Sequence, residues 1–69
     1  MVKKIFTTRT KYGSFQCVAE PEKDTGGYSV EANGVAGAIS WGKTLTEAKK
    51  MILEAIEGAI EAQTLSVVF

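Results

Sequence analysis

Apolar and polar residues alternate along the first half of this chain, and the spacing then changes to threes and fours. Phe15, Cys17 and Ala19 alternate with Gln16, Val18 and Glu20, and Tyr28, Val30 and Ala32 alternate with Ser29, Glu31 and Asn33. A period of two predicts a pair of half-buried strands. Between them, residues 21–27 (PEKDTGG) hold turn-forming side chains, with Gly26 or Gly27 free to take a positive φ, so the pair closes as a β-hairpin. Asn33-Gly34 is a second turn signal. Residues 35–41 after it, with Ala38, Ile39 and Trp41, predict a third strand that feeds a helix through Gly42-Lys43.

The helix is marked by Leu45, Ala48, Met51, Ile52, Ala55, Ile56, Ala59 and Ile60, which gather on one face, while Lys49, Lys50, Glu54, Glu57 and Glu61 take the other. Thr44-Leu-Thr-Glu47 is a capping box, and it predicts a helix over residues 46–62. Gly58 inside it costs about 1 kcal/mol relative to Ala, which either a close neighbour or fraying of the last turn explains. Residues 65–69 (LSVVF) are apolar and β-branched and predict a final strand. Residues 2–8 have strand composition, but Ile5 and Phe6 are adjacent and so cannot share a face. They form either an edge strand joined through residues 11–13 or an arm that orders against a partner.

The expected architecture is one α+β domain over residues 1–69. It is a small antiparallel sheet of three or four strands with one amphipathic helix packed on one face, in the order β-β-β-α-β. That layout leaves the second sheet face to water or to another molecule. Val18, Ile39 or Trp41 lies there, depending on the phase of the third strand.

At 69 residues, folding hides only about 60% of the surface of the unfolded chain. The composition, 45% hydrophobic and 23% charged, is that of a globular domain and not of a disordered one. Small cores are usually reinforced by disulfides, metals or association, and one cysteine with no histidine leaves association. A homodimer or higher homo-oligomer is therefore expected. A lone cysteine fits a reducing compartment, and no apolar run approaches a membrane span or a signal core. The cytoplasm is the expected location.

Formal charge is zero, yet Lys3, Lys4, Arg9 and Lys11 make the opening purely basic, while Glu54, Glu57 and Glu61 make the end purely acidic. Three readings stand. Both runs are solvated surface; or the basic residues contact nucleic acid, with Phe6 and Tyr12 as stacking partners; or the charges match a protein partner.

Chemistry is narrowed by elimination. Without histidine there is no Ser-His-Asp or Cys-His arrangement and no zinc-type ligand set. Cys17, mid-strand, reads as a small buried hydrophobe. The carboxylates show no pairing that would make an acid and a base. Gly34, Gly37 and Gly42 lack phosphate-loop spacing. No enzyme activity, cofactor or metal is expected. Trp41, just before a loop, is either core or a partner-facing anchor, and Val67, Val68 and Phe69 are candidates for strand pairing with another chain.

The stretch Asp24-Thr-Gly-Gly-Tyr28, then Gly37-Ala-Ile-Ser-Trp-Gly-Lys-Thr44, then Leu45-Thr-Glu-Ala48 with Ile52 and Glu54-Ala-Ile56, resembles the N-terminal domain of HicB-type antitoxins. There a D-x-GGY hairpin precedes PGC-x-S-x-G-x-T-x-x-EA and an amphipathic helix. The resemblance spans about residues 14–60 and departs from the pattern at Ala36 and Ala38, where the family often has Pro and Cys. It implies a partial RNase H-like fold and a non-catalytic module that binds and masks a HicA-like RNA-cleaving toxin. Many such antitoxins continue into an operator-binding segment; none follows here, so direct DNA binding is not expected. The alternatives are a stand-alone homo-oligomer of other role, or a small RNA-binding domain using Lys3, Lys4, Arg9 and Lys11.

Overall fold

In a computed structural model, residues 3–67 are described, with side chains described through residue 63. Four strands precede one helix: β1 (Lys4–Thr10), β2 (Gly13–Pro21), β3 (Tyr28–Ala32), β4 (Ile39–Gly42) and α1 (Leu45–Val67). The strands form a single antiparallel sheet in sequence order, so every connection is a hairpin. This is the small α+β fold expected, with α1 across one face.

Two expectations are corrected. The order among the described residues is β-β-β-β-α and not β-β-β-α-β, because residues 65–67 continue α1 where a last strand was expected. The β-branched composition there is outweighed by propagation of an existing helix, which adds one hydrogen bond per residue without a new nucleus. Residues 68–69 lie outside the described residues. The turn begins at Asn33-Gly34 as expected, but residues 35–38, expected to begin the third strand, continue it as a loop. Gly34 and Gly37 take φ of 83° and 82°, and the Ala38 N–H donates to the Val35 carbonyl at 3.2 Å. Val35 and Ala38 are nonetheless buried and plug the end of the core.

The opening residues form edge strand β1. The adjacency of Ile5 and Phe6 is resolved by using both faces. Phe6 pairs with Cys17 and packs toward the core, whereas Ile5 pairs with Val18 and points to the other face, 65% exposed.

The core is one layer deep. Cys17, Ala19, Val30 and Ala32 of the sheet meet Ala48, Ile52 and Ile56 of α1, and all seven are buried. Each fully buried isoleucine contributes on the order of 2–3 kcal/mol. Alanines at 19, 32 and 48 let helix and sheet approach closely. Gly42 does so most: a Cβ there would stand 2.7 Å from the Ala48 Cα. The helix start is fixed by the capping box. The Glu47 N–H donates to Thr44 Oγ1 at 3.1 Å, and the Glu47 carboxylate accepts from the Lys43 N–H at 2.7 Å. Gly58 has no heavy atom within 4 Å of a built Cβ, so no close neighbour requires it.

Candidate interaction surfaces

The register of the ladders fixes what the uncovered face carries. Ile5 pairs with Val18, Val18 with Glu31, and Glu31 with Ile39, giving one row of side chains across all four strands. Beside it run Glu20, Ser29 and Trp41, which are also register partners, with Lys3 reaching Glu20 at 4.0 Å. Ile39 is 65% exposed and Trp41 39%. Val18, Ile39 and Trp41, the three candidates for this face, all lie on it, and Ile5 joins them. A shallow hollow between Val18, Ser29, Glu31 and Ile39 breaks the surface.

Trp41 is not part of the core: it lies on the uncovered face, 39% exposed. Its indole N–H donates to the Gly26 carbonyl at 3.2 Å, and its ring lies over Gly27. A Cβ at Gly27 would stand 2.7 Å from ring atom Cζ2 and collide with the Gly42 carbonyl. Gly26 and Gly27 both take positive φ, 73° and 74°. The Glu22 N–H closes the turn onto the Gly27 carbonyl at 3.0 Å. The β2–β3 turn is thus folded back and pinned by an aromatic from β4, which keeps the other side of its ring in solvent.

The four basic candidates do not form one patch. Lys3 stands beside Glu20 on the uncovered side, and Arg9 pairs with Ser14 on that same face. Lys4 alternates with them to the helix side. Lys11, at the tip of the β1–β2 hairpin, bonds Glu61 of α1 through Nζ at 3.2 Å. The same tip gives α1 two more contacts: the Lys11 N–H to Glu57 at 3.2 Å and the Tyr12 hydroxyl to Glu61 at 2.7 Å. The basic opening and acidic end of the chain thus meet within one molecule. The Tyr12 hydroxyl and then Lys11 hold the Glu61 carboxyl below its ordinary value. Hydrogen bonding to Glu61 raises both Lys11 and Tyr12. Phe6, a candidate stacking residue, faces the core side with Lys49 Nζ 5.2 Å from its ring centroid.

Val67 is the last residue of α1, with its side chain beyond those described, and Val68 and Phe69 lie outside the described residues. Cys17 is buried, its thiol donating to Thr8 Oγ1 at 3.3 Å. Among the described residues, no group of three or more Cys, Asp or Glu side chains could hold a metal ion, and no helix is long and apolar enough to cross a membrane.

Three comparisons, with family models, with curated proteins and with solved structures, each return no match to this chain.

Proposed function

We propose that this chain is a non-catalytic protein-interaction module of the HicB type, which binds a HicA-like RNA-cleaving toxin and masks it by steric occlusion in the cytoplasm. One observation carries the reading: the residues on which the resemblance rests are occupied in building a single hairpin-strand-helix unit. Gly26 and Gly27 make the turn and seat Trp41. Gly42 admits the helix. Thr44 and Glu47 cap it, and Ala48, Ile52 and Ile56 fill the core. These side chains are committed to packing and capping, which supports reading the motif as a scaffold. What the module offers is shape, two sheet edges and an uncovered face.

Co-expression of the chain with the product of the adjacent reading frame, followed by affinity capture, tests this. Co-purification with relief of growth arrest is the expected result. A toxic neighbour that is neither captured nor neutralised refutes it.

A second reading, a stand-alone homo-oligomer, is favoured by the exposure of Ile5 and Ile39 on one row. RNA binding through the basic residues has less support, because Lys11 and Lys3 already face carboxylates of the same molecule.

A further inference from the structure

We propose that the uncovered sheet face is closed by a second copy of this chain, packed face to face about a two-fold axis that runs along the strands between β2 and β3. The order of side chains in the two rows selects this partner and this axis. In the first row Ile5 and Ile39 stand at opposite ends, each 65% exposed, with Val18 and Glu31 between them. Rotation about an axis midway across the sheet lays each Ile5 on the partner copy's Ile39, twice per dimer. It places Val18 against the aliphatic stem of Glu31. In the second row, the same rotation sets Lys3 against the exposed side of the Trp41 ring, a cation–π pairing, and Glu20 against the Ser29 hydroxyl.

Three of the four pairs are therefore complementary, Ile5 on Ile39, Lys3 on Trp41 and Glu20 on Ser29, while Glu31 lays only its aliphatic stem on Val18 and turns its carboxylate toward the rim. Each Ile5 also lands at the rim of the hollow between Val18, Ser29, Glu31 and Ile39 of the other copy. The perpendicular axis, along the row, would stack Glu31 directly on Glu31, whereas rotation about the strands offsets the two carboxylates sideways by about one strand spacing, ~4.8 Å. Rotation about the strands also keeps the strand directions of the two sheets aligned, the common geometry of β-sandwiches.

Edge pairing through β1 is a poorer route to a dimer. It would bring together two copies of a strand whose charged side chains, Lys4 and Arg9, are all positive and lack an ion-pair partner among the described residues. A four-stranded face is about 19 Å wide at ~4.8 Å per strand, so the contact sits at the small end of interfaces and the dimer is concentration-dependent.

Sedimentation equilibrium of the chain alone, from about 5 to about 500 μM, brackets the affinities expected of such an interface. The expected result is a monomer–dimer equilibrium. Ile39→Glu should weaken it at least about tenfold, a loss of about 1.4 kcal/mol, with far-UV circular dichroism unchanged because Ile39 is exposed in the monomer. The double variant I5K/I39E should restore association, since Lys and Glu then face each other twice, and I5E/I39E should not. A wild-type chain that stays monomeric overturns the proposal, as does an I39E chain that still dimerises or an I5K/I39E chain that does not recover. Because the assay contains one protein only, its failure leaves the toxin-binding reading standing, and failed toxin capture leaves the dimer standing.

Discussion

Gly26 and Gly27 share one turn and nearly one backbone conformation, with φ of 73° and 74°, yet alanine should act on them very differently. A Cβ at Gly26 meets nothing within 4 Å, so Gly26→Ala incurs only the left-handed backbone penalty, about 1–2 kcal/mol. A Cβ at Gly27 adds a collision with the Gly42 carbonyl and an approach of 2.7 Å to the Trp41 ring. Gly42 cannot retreat, because it is itself pressed against the Ala48 backbone. The ring must move, which costs about 1–3 kcal/mol for overpacking and about 1 kcal/mol for the N–H bond to the Gly26 carbonyl. Gly27→Ala is therefore expected to cost about 3–6 kcal/mol, comparable with the whole stability of a domain this small. Trp41 is the sole tryptophan, so urea unfolding followed by its fluorescence reads stability and ring environment together. The expected result is a G26A chain with native emission and a modestly lower midpoint, and a G27A chain with red-shifted emission that is unfolded or nearly so without urea. Equal midpoints for the two variants would refute the seat assigned to Trp41.

Ile52 is fully buried between α1 and the sheet, so Ile52→Ala should lower the unfolding free energy by about 2–5 kcal/mol, while Met51→Ala, at an exposed neighbouring position, should stay within about 0.5 kcal/mol; thermal denaturation separates them. Thr44→Ala removes the acceptor of the Glu47 N–H and should cost about 1 kcal/mol, with amide exchange rising in the first turn of α1 and not beyond it. Glu61→Gln tests the hairpin-tip contacts through pH. The Glu61 carboxyl is depressed, so its contribution is whole above the ordinary carboxylate range and is lost as pH falls through the depressed value. Lys11 and Tyr12 are raised, so theirs is whole below their ordinary values and is lost as pH rises through the raised ones. The stability difference between wild type and E61Q should accordingly be flat through neutral pH and shrink at both extremes; a difference that grows at either end contradicts the pairing.

Where one local rule sufficed, the fold could be read from the residues. The alternation at 15–20 and 28–33 gave β2 and β3, and Thr44 and Glu47 placed the helix start within one residue. The misplacements share a cause, since in each a tertiary or cooperative effect outweighed composition. Residues 65–67 open an apolar run that contains β-branched valines, but α1 was already running. Residues 35–38 look like a strand, but Gly34 and Gly37 turn the chain while Val35 and Ala38 are drawn into the core. Ile5 and Phe6 seem to contradict a strand only if one face is assumed to be polar. The joining of Lys11 and Tyr12 to Glu57 and Glu61 spans 46 to 49 positions, beyond any periodicity. Its one advance sign was the division of charge between the two ends of the chain.

The residues that make this chain resemble a family and the residues that would decide its partners are largely different sets. Gly27, Gly42, Thr44 and Glu47 are constrained by contacts inside the molecule: two lack room for a Cβ and two close a cap. They support the reading through the kind of scaffold they build, and they do not distinguish one partner of that scaffold from another. Ile5, Val18, Glu31 and Ile39 face outward on one row. They can change without disturbing the core, and selection for a partner would act on them. Variants in the first set should thus lower stability and lose every interaction together. Variants in the second should keep the fold and separate one interaction from another, so I39E can abolish self-association while toxin capture persists. An I39E chain that lost both while remaining folded would mean that the toxin and the second copy compete for the same sheet face.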